Sequence, residues 1–223
     1  MADPDAVRNL ARDKARLPID AGSRQGRGMT ENRSSPTRSA APPAHARALL
    51  RARTADAHER VDASFSGFDL GDRTGYSAFL QAQAMAYLPV EAALDRSGAG
   101  DLLADWPARR RAHLLEADLA ALATPLPPLL AAPALEALPR LLGALYVIEG
   151  SRLGGAMLKR LVAPELPTSF LSHPLPGGWR KLLELVDERL AQPEAAAGAI
   201  QAARETFSLF ERAASLCKER PAS

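Results

Sequence analysis

Three observations predict an all-α multi-helix bundle. Past residue 44 the chain is built from Ala, Leu and Arg while Val and Ile are scarce. Apolar residues return every three or four positions, and almost no stretch alternates apolar with polar as a half-buried strand would. No repeat of fixed period is present, which excludes a solenoid. A length of 223 residues suits one domain with a tail.

The first helix is expected over 46–63, with Leu50, Thr54, Ala57, His58 and Val61 on its inward face. Asp72 or Thr74 should cap a second, carrying Tyr76, Phe79, Leu80 and Gln83 until Pro89 bends or breaks it. A third is expected over 107–122, where Leu114, Leu115, Asp118, Leu119 and Leu122 share a face. Pro125, Pro127 and Pro128 then force a loop. A long helix over 133–161 follows, and after a Pro- and Gly-rich connection two more, over 179–190 and 194–218. Residues 1–43 are rich in Arg, Asp, Ser, Gly and Pro and too poor in large apolar residues to offset the entropy of ordering, so a disordered tail is expected there. Met29 offers an alternative start, which would make the first 28 residues an artefact. The helical domain is bounded at 44–218, with a short tail over 219–223.

Charge and composition exclude several classes. Residues 1–46 hold eight basic and five acidic residues, whereas the whole chain has a net charge of +2. The basic character belongs to the tail, so the domain offers no nucleic-acid surface. A single cysteine, Cys217, excludes a disulfide framework and any multi-Cys metal site. The longest apolar run, 141–148, is far short of the roughly 18 residues that cross a bilayer, and no secretion signal opens the chain, so a cytoplasmic protein is expected.

One segment demands an explanation. Inside the long helical pattern lies Glu149-Gly150-Ser151-Arg152-Leu153-Gly154-Gly155. Each interior glycine costs a helix about 1 kcal/mol relative to Ala, so three cost about 3 kcal/mol out of a total stability of roughly 5–15 kcal/mol. Two readings stay open on this segment alone. Gly150, Gly154 and Gly155 could let another helix pack closely, or they could bare the backbone to a flat ligand.

His58 is the second clue. A lone His on an apolar face is usually a satisfied core residue, but Asp62 follows at i+4, where its carboxylate can accept the Nδ1 proton. That fixes the tautomer and leaves Nε2 for a metal. One imidazole cannot hold a bare ion, but it can be the axial ligand of a heme, which brings its own equatorial donors.

The stretch Leu50-Arg51-Ala52-Arg53-Thr54-Ala55-Asp56-Ala57-His58 has the form L-R-x-x-T-x-x-x-H, and with the segment Tyr146 through Gly155 roughly 90 residues later it resembles the bacterial heme oxygenases. The likeness is strongest to the type that supplies biliverdin to bacteriophytochromes. It runs over about 46–214 and includes Phe170-Leu171-Ser172-His173 and Trp179-Arg180. The resemblance implies a kinked Gly-rich distal helix in a heme-oxygenase-like bundle. It makes His58 the proximal iron ligand, oriented by Asp62, and gives Gly150, Ser151, Gly154 and Gly155 the distal, catalytic side. Heme is then cofactor and substrate, cleaved with oxygen and electrons to biliverdin, carbon monoxide and ferrous iron. One departure stands out: Ser151 occupies the place where many animal members have an Asp that orders water.

An electron donor must come from outside, since no dinucleotide fingerprint or flavin motif is present; a ferredoxin, flavodoxin or reductase is implied. Arg51, Arg53, Arg152, Lys159 and Arg180 are candidate partners for the heme propionates, with Arg152 favoured because it lies in the distal segment. Arg109-Arg110-Arg111 could dock an acidic donor, although a charge run is usually a wet surface. His45, His113 and His173 read as exposed or structural, and Cys217 lies too late in the chain for a nucleophile. The alternatives to an enzyme are a heme carrier of the same fold and a scaffold whose glycines serve packing only.

Overall fold

The computed structural model describes residues 46–219. The expected tail over 1–43, the alternative start at Met29, His45 and most of the C-terminal tail lie outside them.

Among the described residues the chain is helical throughout, without a strand. Helix α1, Ala46–Phe65, turns Leu50, Thr54 and Ala57 inward, and the Thr54 hydroxyl is satisfied within the helix by the Leu50 carbonyl at 2.8 Å. His58 does not share that face: its side chain is 48% exposed, at the edge of the buried stripe. Helix α2, Arg73–Arg96, begins where Asp72 accepts hydrogen bonds from the Thr74 and Gly75 amides, both at 3.0 Å. That is the expected cap. Of the two outcomes expected at Pro89, the break does not occur, and the helix runs on to Arg96. An interior proline costs roughly 3 kcal/mol, and the burial of Leu88, Val90, Glu91 and Leu94 around it holds the helix together.

The third expected helix is two. Short α3, Ala99–Leu102, precedes α4, Trp106–Arg109, and the chain then turns extended at Arg110 before α5, Ala112–Ala121. The break lets Arg109 and Arg111 both point into the protein. The proline loop forms as expected, but it carries on to Ala137, so the long helix α6 spans Leu138–Leu158 and tightens into a 3-10 turn at Lys159–Leu161. Helix α6 runs unbroken through its glycines. A short α7, Ser169–Ser172, is capped from outside by buried Asp118, which accepts from the Ser169 and Phe170 amides at 3.1 and 2.9 Å. Helices α8, Gly178–Arg189, and α9, Pro193–Glu219, match the last two expected elements within about a residue.

Helix α9 is the hub. It packs on α1, α2 and α6 with Ala199, Ala202, Ala203, Phe207, Phe210 and Ala213. At Gly143 the approach is backbone to backbone, since a Cβ there would stand 2.1 Å from the Ala199 carbonyl oxygen. Helices α1 and α6, which carry the two sequence motifs, are therefore both seated on α9. No described helix is long and apolar enough to cross a membrane.

Candidate heme site

His58 and Asp62 sit on the outer edge of α1. His58 Nδ1 lies 3.1 Å from Asp62 Oδ2, the i+4 pairing expected from the sequence. Nε2 makes no hydrogen bond among the described residues. The ring rests edge-on against Phe207 of α9, with centroids 5.7 Å apart and planes at 73°, which fixes the direction in which Nε2 is presented.

Arg51 lies seven residues before His58, two helical turns away on the same side of α1. Its charge acts on Tyr146 of α6: burial pushes the Tyr146 hydroxyl above the usual phenol range, and Arg51 draws it part of the way back. Tyr146 in turn lies 5.3 Å from the Trp179 ring, and Trp179 covers Gly150. Tyr146 and Trp179 thus flank the Gly150 side of α6, and the charge of Arg51 on α1 acts on Tyr146.

The glycines differ in use. At Gly150 a Cβ would meet only Trp179 Cη2 and Cζ3, at 3.5 and 3.6 Å. Gly155 faces the backbone of Leu171 instead, where a Cβ would stand 3.3 Å from the carbonyl oxygen, so its smallness serves the packing of α6 on α7. Gly154 is buried and Leu153 beside it is 50% exposed.

Behind this segment lies an ionic network that sequence reasoning missed. Arg109 and Arg111 were read as part of a solvated, donor-docking run, but both are buried, and only Arg110 is exposed. Arg109 grips Asp105 through Nε and Nη2 at 2.8 and 3.0 Å and donates from Nη1 to Glu149 at 2.9 Å. It also donates to the Gly178 carbonyl, which anchors the start of α8. The bidentate bond from Arg109 holds the Asp105 carboxyl below the usual carboxylate range. Arg152 donates to Glu149 at 3.0 Å and to the backbone carbonyls of Arg109 and His173. With its donors engaged there, it ties α6 to its neighbours and is poorly placed to clamp a propionate. Arg111 lies between the rings of Tyr87 and Phe170, at 5.0 and 4.9 Å. It donates to the Ile148 carbonyl and to Ser151 Oγ, both at 2.8 Å, while the Ser151 hydroxyl donates to Ile148 at 2.7 Å. Glu91 completes the arrangement by accepting from the Arg111 and Ala112 amides at the start of α5, at 2.7 and 3.1 Å. The available signal was Glu149 itself: a carboxylate inside an apolar helical run requires a buried cation.

The other candidates fall away. His113 stands in α5 apart from these residues, while His173 places Nε2 2.9 Å from the Ala108 carbonyl, a structural contact. Cys217 is buried near Met85. A groove of about 720 Å3 beside α9, lined by Arg53, Ile200, Arg204 and Arg212 among others, includes neither His58 nor Gly150.

The residues present suit a heme. No group of three or more His, Cys, Asp and Glu side chains among the described residues could hold a bare ion. A metal held by the His58 imidazole would have to carry its own remaining donors, as heme does. Gly150 supplies a bare backbone cradle that a side chain would fill, and an aromatic ring already lies against it.

Among the described residues, an all-helical bundle that presents His58 on α1 and carries a glycine-rich segment on α6 is the class of protein this fold defines. Comparison with known proteins narrows this. No family model matches the chain. A heme oxygenase from Xanthomonas campestris pv. campestris is 36% identical over 114 residues, 47% of this chain and 67% of the relative. The crystal structure of the NO- and CO-bound heme oxygenase from Neisseria meningitidis is 26% identical and superposes with a TM-score of 0.67 over 80% of this chain and 94% of that one. The chain belongs to the heme oxygenase family.

Proposed function

We infer that this protein is a heme-degrading monooxygenase that takes heme as cofactor and substrate and releases biliverdin, carbon monoxide and ferrous iron. The observation that carries the reading is His58, with Nδ1 on Asp62 and Nε2 unengaged among the described residues, in a chain 36% identical over 114 residues to a heme oxygenase.

Heme, once bound, supplies the iron that takes oxygen and the porphyrin carbon that is oxidised. The protein's own residues do the rest. His58 holds the iron through Nε2, and Asp62 fixes the tautomer and makes the imidazole a better donor. Gly150 and Gly154 keep side chains off the opposite face. Ser151 takes a hydrogen bond from Arg111 and spends its own proton on the Ile148 carbonyl. One lone pair of the hydroxyl remains to accept a hydrogen bond from a water. This is how a Ser can serve where an Asp orders water in many animal relatives. Arg111, Glu149 and Arg152 hold the distal turn in place from behind. For the propionates, Arg51 is the preferred cation, because it makes no ion pair among the described residues and stands two turns before His58 on the same side of α1. Electrons come from an external protein, a ferredoxin, flavodoxin or reductase. With Arg109 and Arg111 buried, that partner docks elsewhere than on the 109–111 run.

The test is direct. Hemin added to the purified protein should give a Soret band that, with oxygen and a reductant, bleaches to a biliverdin spectrum; a stable band identifies a carrier and no band a scaffold. His58→Ala should shift or abolish the band and stop turnover. Unchanged turnover removes His58 from the site.

A further inference from the structure

The chain has two tryptophans, and they are held differently. Trp106 is buried and its indole N–H donates to Asp95 at 2.6 Å. Trp179 is half-buried, and its N–H has no hydrogen-bond partner among the described residues. Its six-membered ring lies 3.5 and 3.6 Å from where a Cβ at Gly150 would stand, with nothing else within 4 Å, and beside Tyr146, with the ring planes inclined at 43°.

A porphyrin that approaches the Gly150 backbone needs the surface this indole covers. The two must touch: either the indole swings aside and borders the porphyrin, or the porphyrin lies against its outer face. The backbone of Trp179 has little freedom, because the preceding Gly178 carbonyl accepts from both terminal nitrogens of buried Arg109 at 3.2 Å. Any adjustment therefore falls to the Trp179 side chain and not to α8. Resting on the reading of the site as a heme site, we propose that Trp179 is a substrate-binding residue, which shields the bare Gly150 face in the free protein and forms an aromatic wall of the porphyrin site when it is filled, alongside Tyr146. Resting on the cradle keeps one face of the indole from water, and the same ring then contributes flat contact area to the bound macrocycle.

The test uses metal-free protoporphyrin IX with the full chain, so that the iron–His58 bond contributes nothing, and follows porphyrin fluorescence. Trp179→Ala should weaken binding about tenfold while association becomes faster, because the cradle is no longer covered; Trp179→Phe should stay within about threefold of the parent. Lower affinity with faster entry is a pattern that general loosening of the fold does not produce. Should Trp179→Ala fail to fold, Trp179→Leu fills the same space without the ring and replaces it. Parent-like affinity and entry rate in the folded Ala or Leu variant overturn the proposal alone. If the parent protein takes up neither protoporphyrin nor hemin, the heme reading itself falls.

Discussion

Gly143 and Gly150 stand two turns apart on α6 and are glycine for opposite reasons. At Gly143 a Cβ would collide with the Ala199 carbonyl, a backbone atom that can move only if α9 moves. Gly143→Ala should therefore lower stability by roughly 1–3 kcal/mol, the range for overpacking, and reduce the melting temperature by several degrees. At Gly150 a Cβ meets Trp179 at ordinary contact distance. Gly150→Ala should leave the melting temperature of the heme-free protein unchanged or raise it, since Ala gains about 1 kcal/mol in helix propensity, while hemin affinity falls. Thermal melts and hemin titrations of the two variants check this; if Gly150→Ala destabilises as much as Gly143→Ala, Gly150 serves packing. The sequence drew the eye to 150, 154 and 155 because they crowd together. Gly143 passed unnoticed because a lone glycine in a Leu-rich helix gives no hint of a neighbour from a different helix.

Helix ends were legible where the chemistry that makes them is local, and illegible where it is tertiary. Asp72 caps α2 with its own side chain, and Pro125, Pro127 and Pro128 cannot be helical in sequence, so both boundaries could be read. The split between α4 and α5 exists because Arg109 meets Glu149 and Arg111 meets Ile148 and Ser151, partners about forty residues away. For the same reason three consecutive arginines looked uniformly wet, although two are buried. The site divides likewise: the His58–Asp62 pair lies within one helix and was visible, while Arg51, Tyr146 and Trp179 come from three helices and were not brought together. Glu149 now carries a specific expectation. Glu149→Ala leaves Arg109 and Arg152 without their shared buried carboxylate, so unfolding free energy should drop by roughly 3–5 kcal/mol. Arg110→Ala, whose side chain is half-exposed, should change it by less than about 1 kcal/mol. Urea melts of both separate a buried network from a solvated run: similar small losses would deny the network its role.

The geometry of the whole molecule follows from α9, which carries α1 through contacts that include Phe207 against His58, and α6 through Ala199 against Gly143. Helices α1 and α6 thus share one support, and α6 is further tied at the Arg109 junction, where α4, α6 and the start of α8 meet. That junction should also make the protein sensitive to acid. Asp105 has its carboxyl held below the ordinary range by Arg109. A group whose folded pKa lies below its unfolded value of about 3.9 stabilises fully above that value and loses the contribution as pH falls toward the folded pKa. Asp56 is depressed in the same direction by Arg60, but it is exposed on the surface and joins no buried junction. Asp105→Asn should accordingly be less stable than the parent at neutral pH, and the difference should narrow below about pH 4, as circular dichroism melts across an acid series would show. A gap that stays constant down to pH 2 would mean that Asp105 keeps an ordinary pKa and that other carboxylates govern acid unfolding.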